Sequence, residues 1–281
     1  MRKRTKGSAA NDAAEGEAYS TSLSRGLEIL RAFGPGDSSL GNLELMERTN
    51  LPKATVSRLT YTLAGLGYLV YNEVMGRYSL GPATVSLGYS ALSSNVVVHQ
   101  ARPMMEELAQ KTGAAVAIGG RDQAEMVYLS LMRSDSLVTL RLSVGSRIPI
   151  WNTAMGLAYL VGLSETAREN LQTLYPPRDE AERHKREQLL TKALRDYERL
   201  GYVVASGTWT SYIKSVGVPF VPKDGSPVLS FTCGGIKEIL DSKTVRQVVG
   251  PALVELRRSV EASLEGTDPL VASPGSSSFV K

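Results

Sequence analysis

The stretch Leu51-Pro52-Lys53-Ala54-Thr55-Val56-Ser57-Arg58-Leu59-Thr60-Tyr61-Thr62-Leu63-Ala64-Gly65-Leu66 constrains the fold most, because its two sides require two different partners. Val56, Leu59, Leu63 and Leu66 recur as an apolar helical stripe, while Lys53, Thr55, Ser57, Arg58 and Tyr61 project elsewhere. Pro52 suits the first helical position, where its fixed φ fits and its missing N–H costs nothing. A short helix with hydroxyls and one Arg near its start suits the DNA major groove: hydroxyls reach phosphates or base edges, and Arg pairs bidentately with guanine. Alone, the stretch reads more readily as an ordinary amphipathic surface helix, and context has to decide.

A length of 281 residues implies about two domains. No run of 18 apolar residues occurs, so no membrane partner is expected. The basic start, Met1 to Lys6, lacks the apolar core of a secretory signal, and cytoplasmic residence is expected. With one cysteine, Cys233, no intrachain disulfide can form, and two histidines, His99 and His184, make no metal cluster; neither metal nor cofactor is expected. The net charge of +4 permits nucleic-acid binding without demonstrating it, since binding needs a local basic patch.

Residues 1–20 read as a polar, disordered arm. Leu23, Leu27, Leu30 and Phe33 then form a helical stripe ended by Gly34-Pro35-Gly36-Asp37. Leu40, Leu43, Leu45 and Met46 mark a second short helix, closed around Thr49-Asn50. The helix opening at Pro52 follows so closely that the pair forms a helix-turn-helix. Tyr68 to Tyr71, a turn at Asn72 to Gly76 and Arg77 to Leu80 make a hairpin, the wing of a winged helix. Arg77 stands where it either touches a phosphate or the minor groove, or is solvated; both readings remain open.

The run Ser24-Arg25-Gly26-Leu27-Glu28-Ile29-Leu30, the core Leu51-Pro52-Lys53-Ala54-Thr55-Val56-Ser57-Arg58-Leu59 and the close Gly76-Arg77-Tyr78-Ser79-Leu80-Gly81 resemble the DNA-binding domain of IclR-type bacterial transcription regulators. The resemblance implies that Lys53, Ala54, Thr55, Ser57, Arg58, Tyr61 and Arg77 contact double-stranded DNA. It also implies that the helical segment beginning at Pro82 supports dimerisation. An inverted-repeat target and a homodimer or homotetramer follow, since two reading helices one helical turn apart double the contacts.

From Ala114 strands alternate with helices. Ala115 to Ile118, Met126 to Leu131 and Leu137 to Val144 read as strands, with Gly119-Gly120-Arg121-Asp122 as a turn. A helix starts near Asn152 or Thr153, further helices follow at Glu165 and Arg183, Gly201 to Ala205 is a strand, Val216 to Val221 and Val228 to Cys233 form a hairpin, and Ser242 to Leu264 is a last helix. The expected architecture is an α/β sandwich of mixed sheet and flanking helices. Its Gly145-x-Arg147-x-Pro149, Thr153-Ala154-x-Gly156 and Gly201-Tyr202 positions resemble the GAF-like IclR effector-binding domain. The chain thus reads as an α+β two-domain protein: arm 1–20, winged helix-turn-helix 21–81, linker helix 82–98, GAF-like α/β effector-binding domain 99–266 and disordered tail 267–281.

By the same resemblance an effector pocket is lined by Thr153, Ala154, Met155 and Gly156, by the strand near Ser215 to Pro219 with Val216 and Gly217, and by the hairpin at Thr232 to Gly234. A helix start also attracts small anions, and Ala154 and Gly156 would let one approach; close packing of helix on sheet explains both residues equally well. Two departures from the family stand out: Trp151 replaces a His, and Gly207-Thr208, followed by Trp209 and Tyr212, replaces an acidic pair. Aromatic walls without carboxylates favour a small organic effector, aromatic or otherwise apolar. The chain therefore reads as a ligand-responsive repressor or activator and not as an enzyme. The alternatives are an enzyme with Cys233 as nucleophile and a winged helix used for protein contact; a strand-end thiol without a nearby base in sequence favours a buried or pocket-lining cysteine.

Overall fold

A computed structural model of the chain describes residues 19–134 and 142–265, so the expected arm at 1–18, the tail from 266 and most of the expected strand 137–144 lie outside the described residues. Two compact units divide at Ala91/Leu92.

In the first unit, α1 (Thr21–Arg31), α2 (Asn42–Thr49) and α3 (Lys53–Gly65) surround a core of Ile29, Leu40, Leu45, Val56, Leu69 and Tyr78. Asn50 takes the left-handed conformation at φ 53°, which its short polar side chain tolerates, and turns the chain between α2 and α3. Pro52 caps α3 and is not its first residue; its ψ of 148° is extended, and Thr55 and Val56 donate to its carbonyl at 2.9 and 3.0 Å. Gly67, at φ 77°, turns the chain into β2 (Leu69–Asn72) and β3 (Arg77–Leu80), and β1 (Leu40–Gly41) joins them in the order β1-β3-β2. Leu40 thus belongs to a strand and not to the second helix.

The expected apolar stripes hold only in part. Leu66 lies past the end of α3 and is exposed, while buried Thr60 satisfies its hydroxyl on the Val56 carbonyl at 2.9 Å. On α1 the inward side is centred on Gly26 and Ile29, leaving Leu23 and Leu27 exposed; Leu43 of α2 is exposed as well. Helix α4 (Pro82–Ser93) has no buried residue, and α5 (Val96–Thr112) begins at the Asn95 cap, so the expected linker 82–98 is two helices.

In the second unit six strands, β4 (Ala115–Asp122), β5 (Glu125–Met132), β6 (Arg147–Pro149), β7 (Val203–Ser206), β8 (Ile213–Phe220) and β9 (Leu229–Ile236), form one sheet in the order β6-β5-β4-β9-β8-β7. Every pairing is antiparallel, which corrects the expected mixed sheet. One face packs α5 and α10 (Gly250–Glu265), which follows the single turn α9 (Ser242–Thr244) and a π-turn at Val245–Val249. The other carries α6 (Ala154–Gly162), backed by α8 (Glu180–Leu200); the short α7 (Glu165–Leu174) joins them.

Gly119-Gly120-Arg121-Asp122, expected as a turn, continues β4. Glycine is needed at 119 for close approach: a Cβ there would lie 2.1 Å from the Met155 sulfur. Arg147, of the Gly-x-Arg-x-Pro motif, pins β6 against the β4–β5 hairpin through Asp122 at 2.8 Å and Glu125 at 2.5 Å. Leu142 to Val144, the described end of the expected third strand, is not in a strand.

Candidate functional site: a reading face and a cavity

On α3, Lys53, Ala54, Ser57, Arg58 and Tyr61 are exposed and Thr55 is half-buried, opposite a side anchored by Val56. Tyr61 is 82% exposed, a large apolar ring with no packing role in the unit. The side chains read as a DNA-contacting set thus share one solvent-facing helix surface, as the 3.6-residue period about buried Val56 and Thr60 dictates.

Arg77 does not stand with them. Its guanidinium donates to the Ser39 hydroxyl at 2.9 Å, the Ser39 carbonyl at 2.8 Å and Glu44 at 2.9 Å. Glu44 also accepts the Gly41 N–H at 2.8 Å, so one carboxylate ties the wing strand to the start of α2. Arg77 first and then that N–H hold the Glu44 carboxyl below its ordinary range. The reading of Arg77 as a phosphate contact gives way to a brace within the domain.

In the second unit a cavity of about 500 Å³, counting its open mouth, lies between the sheet and the start of α6. The sheet register explains the space. Ser215, Gly234 and Ala115 stand side by side across β8, β9 and β4, and Thr232 pairs with Ala117 in the next row on that face. These small side chains leave a hollow that Leu131, Leu142, Ile148, Ile213 and Tyr128 wall in. Thr153 caps α6: its hydroxyl accepts the Gly156 N–H at 3.1 Å and donates to the Pro149 carbonyl at 2.7 Å. The N–H groups of Ala154 and Met155, both lining residues, have no hydrogen-bond partner among the described residues. Unpaired N–H groups at the first turn of a helix carry its positive dipole end.

Trp209, 39% exposed, closes one edge from a loop that turns at Gly207, where φ is 70°, and is tied to α6's approach by Thr208 donating to the Asn152 carbonyl at 2.6 Å. None of the described lining residues is charged.

Of the expected pocket residues, Thr153, Ala154, Met155, Trp209, Thr232 and Gly234 meet at this cavity. Four do not. Trp151 turns toward α8, where the Arg186 guanidinium lies 4.6 Å from its ring centre. Val216 points to the opposite sheet face by strand alternation. Gly156 and Gly217 are packing glycines: a Cβ would come within 1.9 Å of the Ile150 carbonyl oxygen and 2.4 Å of the Ala154 carbonyl oxygen respectively. Close packing therefore accounts for Gly156, whereas Ala154 borders the cavity. Ser215, at the start of the strand expected to line the pocket, does so; Ala115, Ala117 and Tyr128 were not anticipated as lining residues, and only cross-strand register brings them together.

Cys233 is fully buried on the other face, and burial pushes its thiol up to about 12. A nucleophile needs the opposite shift. His99 is exposed, and its Nε2 lies 2.9 Å from the Ser93 carbonyl oxygen.

Two family descriptions match the chain, the IclR helix-turn-helix domain over residues 22–73 and the bacterial transcriptional regulator IclR C-terminal domain over residues 89–262. The HTH-type transcriptional regulator TsaQ1/TsaQ2 of Comamonas testosteroni is 33% identical over 250 residues, covering 88% of this chain and 90% of that one. The crystal structure of an IclR family transcriptional regulator from Brucella abortus superposes with a TM-score of 0.80 at 37% identity, covering 89% of this chain and 94% of the other. An IclR homologue from Microbacterium hydrocarbonoxydans, crystallised with 4-hydroxybenzoate, shares the fold with a TM-score of 0.69 at 21% identity over 88% of this chain and all of that one. With its exposed helix-turn-helix face and a cavity-bearing C-terminal unit, this chain belongs to the IclR family, transcriptional regulators that join a DNA-binding helix-turn-helix domain to a ligand-binding C-terminal domain.

Proposed function

We propose that Lys53, Ala54, Thr55, Ser57, Arg58 and Tyr61 of α3 read an inverted-repeat operator, one half-site per protomer of a homodimer or a tetramer of such pairs, in the cytoplasm. The observation carrying this reading is the exposure of the whole polar side of α3 while its other side is core. Arg58 is the base-reading group and Lys53 a phosphate contact. Oligomerisation is supported by apolar side chains without partners among the described residues of the first unit: Val85, Leu87 and Tyr89 on α4 and Leu23 and Leu27 on α1. Selection of bound duplexes from a random pool at fixed, near-physiological salt tests the reading. The wild type enriches an inverted repeat and Arg58→Ala does not, since each Arg–guanine pair is worth about 1–3 kcal/mol of discrimination. Equal enrichment by both proteins rejects it.

The effector is a small aromatic or otherwise apolar molecule with one anionic group, its body against the Ala115, Ala117 and Trp209 walls and its anion at the Ala154 and Met155 N–H groups. The uncharged, largely apolar lining supports this class, and 4-hydroxybenzoate, the molecule held by the Microbacterium homologue, is a direct probe. Titration followed by tryptophan fluorescence reports it through Trp209. A signal that responds only to short aliphatic acids, or that survives Trp209→Phe unchanged, rejects the reading. The chain acts without catalysis, in keeping with the buried, protonated state of Cys233.

A further inference from the structure

Tyr128 is 8% exposed and lines the cavity, yet its hydroxyl has no hydrogen-bond partner among the described residues. Tyr159, on the same face of the sheet, has its hydroxyl engaged by Arg121 Nε at 3.1 Å. Nor is the Tyr128 oxygen one of the fully enclosed unpartnered atoms, so it keeps accessible surface in a residue that lines the cavity.

A fold irregularity brings it there. Along β4 and β5, Ala117 pairs with Leu131 and Ile118 with Ser130, but Gly119 pairs with Tyr128, so β5 carries one extra residue, Leu129. In an unbroken strand Leu131 and Tyr128, three apart, would face opposite sides. The bulge resets the phase, sends Leu129 to the α5 face and turns Tyr128 onto the cavity face. Burial raises its deprotonation to about 12, so it remains a neutral donor at any working pH. The walls offer no cation among the described residues, so a ligand's second negative charge would be buried without a counter-ion.

We propose that Tyr128 is a specificity-determining residue of the effector cavity, its phenol hydrogen-bonding a neutral polar substituent, a hydroxyl or carbonyl, on the ring of a singly charged aromatic acid. This assignment rests on the effector reading above and adds to it which ring acids are preferred.

Calorimetric titration of the full chain with benzoate, 3-hydroxybenzoate, 4-hydroxybenzoate and terephthalate tests it, for wild type and Tyr128→Phe. In the wild type the better hydroxybenzoate should bind about tenfold more tightly than benzoate, the scale of one buried neutral hydrogen bond, and terephthalate at least about tenfold more weakly than that hydroxybenzoate. Tyr128→Phe should bring the hydroxybenzoate-to-benzoate ratio to about one while leaving benzoate within about twofold. A ratio near one in the wild type, which needs no variant, overturns the assignment; so does a preference that survives Tyr128→Phe. In both cases benzoate still binds and the effector reading stands. If none of the four acids binds the wild type, the effector reading itself fails and the assignment falls with it.

Discussion

The function proposed above places recognition on opposite kinds of surface in the two units. In the first it rests on what α3 leaves outside: Lys53, Ser57, Arg58 and Tyr61 project from a helix held to a small core through Val56. In the second, recognition lies in a hollow made by what the sheet lacks, the row Ser215, Gly234 and Ala115, with α6 set down hard on glycines on either side. A projecting face tolerates change in its own side chains but depends on its cations. A hollow depends on packing, so backbone contacts far from the ligand set its shape.

The sharpest break between the units is steric. Gly156→Ala drives a methyl into the Ile150 carbonyl, and the expected cost is about 1–3 kcal/mol or more, seen as a lowered Tm of the effector-binding unit. Gly65→Ala, at the exposed end of α3 with open space around it, should instead be neutral or stabilise by about 0.4–1 kcal/mol. Equal melting behaviour of the two variants would erase the contrast.

Filling the hollow separates the functions next. Ala117→Leu should weaken binding of a cavity ligand by about tenfold or more while leaving ligand-free operator affinity unchanged, as calorimetry and anisotropy would report. Loss of ligand-free operator affinity in this variant would place the two activities on one surface.

The smallest effect divides the cations. Lys53→Ala should lower the salt dependence of DNA binding by about one unit of slope, whereas Arg77→Ala should leave the slope intact because its guanidinium is spent on Ser39 and Glu44. Arg77→Ala should show instead in acid. The Glu44 carboxyl is held low mainly by Arg77, so its contribution to stability is present above the ordinary carboxylate range and is lost as pH falls through the lowered value. Removing Arg77 flattens that loss, and an unchanged acid profile would contradict the brace.

What could be read from the chain beforehand follows the same division. A projecting helix is written in one continuous stretch, and the 51–66 pattern located α3 to within two residues at its start and one at its end. The errors there are end effects: Pro52 caps the helix, and Leu66 falls beyond the last turn that reaches the core. The hollow is assembled from five strands, and no local period reports which small residues stand side by side. Thr153, Ala154 and Met155 were legible because a helix start is a local feature. Tyr128 was not, since the bulge at Leu129 reverses the side that alternation assigns. Gly119 and Gly120 misled for a related reason: a glycine pair marks a turn locally, but here Gly119 makes room for Met155 of a distant helix.

The most direct test of a regulator that couples these two units is operator affinity measured by fluorescence anisotropy, with and without a saturating ring acid that calorimetry shows to fill the cavity, for wild type and Ala117→Leu. Coupling should shift the wild-type affinity by about 5–150-fold, with operator shifting ligand affinity by the same factor, and Ala117→Leu should abolish the shift at the same ligand concentration. An affinity that stays constant while the cavity is saturated would contradict it.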